Sequence, residues 1–280
     1  MLSPPRGCGC ESTSRCTTPV DVGLTRPSVQ VLVFLFTPPS PGGKDCEGNR
    51  LLASNPEHGQ RRQKAVAGVP FWWHTIDLGE GVTTPGHDDR NSQEIRAQAV
   101  PRRLRGKTVL DIGCWDGYFS FLCERRGADV TPVDTFQYRD FVRSKYGVEL
   151  KGGEGFRVAA RLLASGLKLK KCDFTSLRGS YDIVLFFGVL YHERSPLLAL
   201  EHLARLTREY AVVETHYIKS GRQPLLRFYP GGSLNEDPTN FWGPTLSCVD
   251  LMLKDVGFRK VSLLRTYTHG DSRAIFLARK

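Results

Sequence analysis

The sequence predicts an α/β domain with a mostly parallel sheet covered by helices on both faces, running from about residue 106 to residue 280. Two observations carry this. From Lys107 onward, short apolar runs alternate with helix-length segments, and strands separated by helices pair in parallel. One run, Tyr181–Phe187, is apolar almost throughout, as a strand buried on both faces requires.

In chain order, Thr108–Ile112 reads as a buried strand and Tyr118–Arg126 as a helix with Phe119, Leu122 and Cys123 on one side. Ala128–Val133 is a second strand. Phe156–Ala164 is a helix after the Gly152-Gly153 break, and Leu167–Lys171 a third strand. Tyr181–Phe187 is the fourth. Pro196–Arg208 is helical, with Leu197, Leu200, Leu203 and Leu206 recurring every three residues. Tyr210–Glu214 is a fifth strand, Leu246–Val256 a helix ending at Gly257, and Arg259–Leu264 and Ala274–Ala278 the last strands. No internal repeat is visible.

The first 68 residues read differently. Half of the eight cysteines (Cys8, Cys10, Cys16, Cys46) lie there, among Pro, Gly, Ser and Thr with little apolar periodicity. Such a segment buries too little apolar area to offset its ordering entropy, so it is expected to be a disordered or non-domain leader. Residues 69–105 are expected to form an entry arm. The apolar run Val31–Phe36 is too short for a bilayer, which takes about 20 residues, and it lacks the flanks of a signal peptide. Cys114, Cys123, Cys172 and Cys248 are widely spaced with no CxxC pair, which suits reduced thiols in a cytoplasmic protein rather than a zinc or disulfide framework. The net charge of +10 permits a nucleic-acid partner without specifying one.

Sheets of this kind bind ligands beyond the carboxyl ends of their strands, where strand order reverses. There the sequence runs Val109-Leu110-Asp111-Ile112-Gly113-Cys114-Trp115-Asp116-Gly117-Tyr118, a strand entering a glycine turn and then a helix. Gly113 and Gly117 let the backbone turn tightly and approach a ligand with no Cβ in the way. An NAD-type fingerprint needs a third glycine three residues after the second, which is missing. Asp134 ends the second strand, 23 residues after Asp111, where a carboxylate can accept hydrogen bonds from both ribose hydroxyls of an adenosyl group.

The acid-x-Gly-x-x-x-Gly turn resembles motif I of class I methyltransferases. The resemblance implies a Rossmann-like, seven-stranded sheet and S-adenosyl-L-methionine as cofactor. Trp115 replaces the family's usual middle glycine, so its side chain is expected to point away from the cofactor. Cys172-Asp173-Phe174 falls where the family presents an acid to the adenine amine with apolar neighbours against the ring. The candidate cofactor-binding set is Asp111, Gly113, Cys114, Asp116, Gly117, Asp134, Cys172, Asp173, Phe174 and Gly188, with no metal.

A closer likeness lies in Phe187-Gly188-Val189-Leu190-Tyr191-His192-Glu193-Arg194-Ser195-Pro196, which resembles the GVLYHxRxP stretch of the carboxymethyluridine synthases of the tRNA wobble uridine and their methyltransferase-like relatives. It extends over about Gly106 to Lys280. The synthases hold a carboxylated cofactor with a lysine, a tyrosine and an arginine. Tyr191 and Arg273 match the last two, but Val69-Pro70-Phe71-Trp72-Trp73-His74 offers no lysine. An unpaired buried carboxylate is costly, so ordinary S-adenosylmethionine is expected and carboxymethyl transfer is the lesser reading.

Methyl transfer needs alignment and exclusion of water more than proton chemistry, yet a hydroxyl acceptor benefits from a base. His192 and Tyr191 are the candidate catalytic residues, although His192 could equally cap or pack the Pro196 helix. Tyr191, Arg227, Trp242 and Arg273 are the candidate substrate residues. Arg227 and Trp242 lie in a long excursion, residues 215–244, with Arg222, Tyr229, Asn235, Asn240 and Phe241; it is expected to form a lid-like insertion suited to a stacked base or a sugar. The expected acceptor is an oxygen or nitrogen of tRNA, a small molecule or a sugar. A non-catalytic cofactor-binding module is the alternative of another class.

Overall fold

The computed structural model describes residues 56–280, so the expectations for Val31–Phe36 and for Cys8, Cys10, Cys16 and Cys46 lie outside the described residues. The strands are β1 (Thr108–Ile112), β2 (Asp129–Asp134), β3 (Lys170–Lys171), β4 (Tyr181–Phe187), β5 (Thr207–His216), β6 (Leu226–Phe228), β7 (Trp242–Pro244), β8 (Lys260–His269) and β9 (Asp271–Arg279). Seven form one sheet in the order β3-β2-β1-β4-β5-β9-β8, and β6 and β7 form a separate two-stranded ribbon. β1 pairs in parallel with β2 and β4, and β4 with β5, whereas β9 runs antiparallel to both of its neighbours. The mostly parallel seven-stranded sheet is thus as expected.

The helices are α1 (Pro56–Ala67), α2 (Arg90–Gln98), α3 (Tyr118–Arg125), α4 (Arg139–Tyr146), α5 (Glu154–Leu162), α6 (Pro196–Leu206) and α7 (Leu246–Asp255). Side chains alternate across the central strand, because successive Cβ atoms point to opposite faces. Val184 and Phe186 join Leu110, Leu200, Leu203, Val249 and Leu253 in one core layer under α6 and α7. Ile183 and Leu185 join Val109, Phe119, Cys123 and Ile95 in the other, under α3 and α2. A third cluster sets Trp72, Ile76 and Leu78 of the arm against Phe121 and Phe156.

Several boundaries differ from expectation for local reasons. The leader was expected to reach residue 68, but Pro56–Ala67 is α1, and Arg62 donates to the carbonyls of Leu78 and, at 2.8 Å, Leu162. The helix expected over Pro196–Arg208 ends sooner: Thr207 is already extended, its hydroxyl donating to the Leu203 carbonyl at 2.7 Å, and β5 begins there. β3 is only two residues long. Helix α2 has few apolar residues and was missed, yet Asp89 caps it by accepting from Ser92 N at 2.9 Å.

Leu200 is fully buried on the inner face of α6. Leu200→Ala is expected to lower unfolding stability by about 2–5 kcal/mol, measured by urea denaturation.

Candidate functional site

Strand order reverses between β1 and β4, and the loops leaving their carboxyl ends part there. A cavity of about 810 Å³ fills the gap, within the range of small-molecule sites. Its floor is the β1 turn. Gly113 has φ +74°, and a Cβ there would approach Val189 Cγ2 to 2.7 Å, so the turn accepts only glycine without local movement. Asp111, buried beneath it, accepts from Ser120 Oγ at 2.6 Å; burial pushes its carboxyl up to about 6. Asp134 stands at the end of β2 on the same wall. Its Oδ2 accepts from Trp115 N at 2.9 Å and its Oδ1 from Phe136 N at 2.6 Å. Each oxygen keeps lone-pair capacity for a further donor, and burial raises the carboxyl's pKa.

Trp115 departs from expectation. It adopts φ +49°, and its indole lines the cavity instead of turning away. The ring meets Tyr138 at 5.5 Å, Phe136 at 6.1 Å, and Trp73 and Phe71 at 6.2 Å, between centroids. These neighbours offset the strain of a non-glycine residue at positive φ.

The loop after β4 supplies the opposite wall. Gly188, at φ +71°, leads into a short 3₁₀ turn, Leu190–His192, and Tyr191 and His192 both face the cavity. Arg273 lies beside them on β9. Its Nε and Nη2 donate to the fully buried Glu214 at 2.7 and 3.0 Å, and Nη2 also donates to the Tyr191 hydroxyl at 3.1 Å. Arg273 holds the Glu214 carboxyl below its ordinary range against the opposing effect of burial. Burial pushes the Tyr191 phenol up to about 12, so it stays protonated at neutral pH. His192 Nδ1 sits 3.0 Å from both the carbonyl and the hydroxyl of Thr239, and burial lowers its pKa.

Sequence reasoning thus placed Asp111, Gly113, Asp134, Gly188, Tyr191, His192 and Arg273 on one cavity. Other candidates lie off its wall. Cys114 is buried with the arm and α5. Asp116 accepts from Trp73 N at 2.8 Å and His74 N at 3.0 Å and contacts His74 Nδ1, so it clasps the arm. Gly117, at φ +89°, gives room to Phe156 and Phe121. Cys172 packs against the α6 layer, Phe174 belongs to it, and Asp173 caps a short turn by accepting from Thr175 N at 2.8 Å. Arg227 lies over the Tyr229 ring at 5.0 Å, and Trp242 packs on Phe228 at 5.3 Å, both on the β6–β7 ribbon. The wall contains residues not singled out as candidates: Asp88, Arg96, Tyr138, Asp237, Thr239, His269 and Asp271. Asp237-Pro238-Thr239 is turn-forming sequence, and only that weak signal marked it.

A family model described as "Methyltransferase domain" matches residues 86–263. The tRNA U34 carboxymethyltransferase of Serratia proteamaculans is 28% identical over 204 residues, which cover 69% of this chain and 56% of that protein. The protein of that name from Pseudomonas aeruginosa is 30% identical over 162 residues, 55% of this chain and 46% of that one. The chain therefore spans about half the length of these relatives. Among solved structures, the N-terminal domain of EvdMO1, crystallised in the presence of SAH and D-fucose, superposes with a TM-score of 0.55 at 19% identity, covering 81% of this chain and 98% of that one. Magnesium protoporphyrin IX methyltransferase from Synechocystis PCC 6803 with bound SAH gives 0.51 at 21%, covering 79% and 94%. At these identities the structures share the fold.

The buried Asp111 carboxyl makes stability depend on pH. Its folded-state value near 6 exceeds the ordinary 3.8, so the buried group costs stability as pH rises through that window and nothing below it. Asp111→Asn is therefore expected to raise the stability of the ligand-free protein at pH 7.5 by up to about 3 kcal/mol, with the gain vanishing near pH 3.5. Urea denaturation at the two pH values checks this.

Proposed function

We propose, for a chain that belongs to the methyltransferase domain family, that it transfers a methyl group from S-adenosyl-L-methionine to an oxygen or nitrogen acceptor. The observation that carries the proposal is the pairing of Gly113 with Asp134 on one cavity wall. The missing side chain of Gly113 makes room for Val189 and leaves the turn's backbone bare at the wall, and each Asp134 oxygen has lone-pair capacity for a ribose hydroxyl beyond its backbone donor. In this reading Asp134 holds the ribose, the Gly113 and Gly188 backbone lies along the amino-acid end, and Asp111 meets the ammonium directly or through water. The cofactor, when bound, supplies a methyl carbon already activated by its sulfonium. The chain's own residues then align the acceptor, exclude water and take up a proton. Tyr191 and Arg273 border the acceptor side, with His192 beside them as the base.

Ordinary S-adenosylmethionine is favoured over its carboxylated form. Tyr191 and Arg273 are present, but the lysine of the synthases is missing, and both donors that Arg273 turns towards Glu214 are already engaged. A further buried carboxylate would lack a full set of cationic partners.

For the acceptor, the names of the relatives favour tRNA wobble uridine, and the Arg227–Tyr229 and Arg194–Phe241 pairs suit a nucleic-acid partner. The cavity, rimmed by Phe241 and Asn240, suits a small molecule or sugar. The cytoplasm is the proposed location, in keeping with four unpaired thiols among the described residues. Among these residues no helix is long and apolar enough to cross a membrane.

Label transfer from methyl-labelled S-adenosylmethionine tests the reading, with unfractionated tRNA and a metabolite extract offered separately and the labelled acceptor identified by mass spectrometry. Labelled tRNA supports the first acceptor and a labelled small molecule the second. Tight cofactor binding with no transfer to either would instead indicate a non-catalytic module. Asp134→Ala is expected to weaken S-adenosylhomocysteine binding about 10- to 100-fold in calorimetry, as loss of two charge-assisted hydrogen bonds implies. His192→Gln is expected to leave that affinity within about twofold while lowering kcat about 10²- to 10⁴-fold, the usual contribution of a positioned base.

A further inference from the structure

We propose that Asp237 and Thr239, on the excursion between β5 and α7, are positioning residues that hold His192 in the tautomer whose Nε2 carries the lone pair, ready to take a proton from the acceptor. The inference rests on the reading of the cavity as a methyl-transfer site, and it narrows the acceptor to a group that sheds a proton, a hydroxyl or an N–H.

The hydrogen-bond directions carry the argument. His192 Nδ1 lies 3.0 Å from the Thr239 carbonyl oxygen and 3.0 Å from Thr239 Oγ1. A carbonyl only accepts. The hydroxyl has one proton, and Oγ1 already donates it to Asp237 Oδ1 at 2.6 Å. Both atoms facing Nδ1 are therefore acceptors, and Nδ1 must carry the hydrogen. In the neutral ring that leaves the lone pair on Nε2, the opposite edge, and His192 lines the cavity.

Asp237 is itself fixed. It is buried, its Oδ1 also accepts from Thr239 N at 2.8 Å, and Tyr138 lines the same cavity. This chain of acceptor, hydroxyl and carboxylate runs through a segment 47 residues from His192 in sequence. A second tie holds the segment in register: Phe241 N donates to the Tyr191 carbonyl at 2.9 Å.

The charges around the ring suit a base that begins neutral. Burial disfavours the charged form, with Arg273 adding to it, and together they outweigh Asp237, the Thr239 carbonyl and Glu214, which favour it. The rings of Tyr191 and Tyr138 pack at 4.2 and 5.6 Å, and Glu193 and Arg194 follow on the same loop. In the balanced step, the acceptor oxygen or nitrogen bonds the methyl carbon as the carbon–sulfur bond breaks. Sulfur keeps the electron pair and loses its charge. The acceptor's proton passes to His192 Nε2, and the resulting imidazolium is stabilised by Asp237 through Thr239.

Nitrogen-15 NMR of the full chain labelled at histidine, free and with S-adenosylhomocysteine, reads the tautomer directly, with His192→Gln assigning the signal. The neutral His192 ring is expected to be protonated at Nδ1 and to titrate below the ordinary value. Asp237→Asn removes a charge that favours the imidazolium, so the midpoint is expected to fall by about one pH unit. An Nε2-protonated neutral ring in the wild type, or an unmoved midpoint in Asp237→Asn, overturns the proposal. Should Asp237→Asn fail to fold, Thr239→Val, which keeps the carbonyl acceptor and removes the hydroxyl, is expected to shift part of the signal to the Nε2–H form; an unchanged pattern overturns the link from Asp237 to the ring through the Thr239 hydroxyl. The spectrum is read without turnover. Failure of label transfer would therefore sink the methyl-transfer reading and leave the tautomer decided.

Discussion

The reversal of strand order between β1 and β4 governs this molecule. Crossovers from β1 run outward to β2 and β3 and the one from β4 runs the other way to β5, so the loops at these strand ends part. Most of the groups that meet at that gap come from a strand end or from the loop that follows, and the excursion between β5 and α7 adds Asp237, Thr239, Asn240 and Phe241. Gly113 and Trp115 come from β1, Asp134 from β2, Tyr191 and His192 from β4, and Arg273 from β9. The antiparallel β9 matters here. Because it runs against β5, its first residues, not its last, lie at the cavity, which is how Asp271 and Arg273 come to stand beside Glu214 and His216.

Beneath the wall formed by Tyr191 and His192 lies a set of buried charges. Glu214 is fully enclosed and receives Arg273 through two nitrogens and Tyr267 through its hydroxyl at 2.8 Å. Arg96 adds a favourable field from α2 and is itself paired with Asp88. Buried pairs of this type contribute little net stability relative to apolar packing, because desolvation offsets the attraction. Their effect is orientation. Arg273 can point in one direction only, and with it the Tyr191 hydroxyl that it meets. The fold thus spends little in stability and obtains a wall whose polar groups are set before any ligand arrives.

The sheet was legible because its signal is local. Ile183–Phe187 is an apolar run that no solvated element tolerates, Val109–Ile112 is apolar but for Asp111, and Gly113 follows at the point where a turn must come. The cavity floor was legible for the same reason, since Asp111, Gly113 and Asp134 sit at strand ends at readable spacings. What escaped were contacts made across long stretches of chain. Asp116 stands within the glycine turn but serves the arm, because Trp73 and His74 arrive with unpaired N–H groups that it satisfies. Asp237 and Thr239 look like any polar turn until the excursion folds back onto the loop after β4. Helix α2 was hidden for another reason: it covers Phe119 with the arginine side chain of Arg96, at 5.4 Å from the ring, so its inner face does not read as apolar.

Trp115 has a further consequence. A bulky residue in the left-handed region stores about 1–3 kcal/mol of backbone strain, and here the indole is kept in place by rings drawn from the arm, the β1 turn's neighbour β2, and the approach to α4. Two of the chain's four tryptophans, Trp73 and Trp115, border the cavity, while Trp72 is sealed in the interior. The protein therefore carries its own optical reporter. A ligand filling that rim would change the surroundings of two indoles, and their emission would register its arrival without any attached dye.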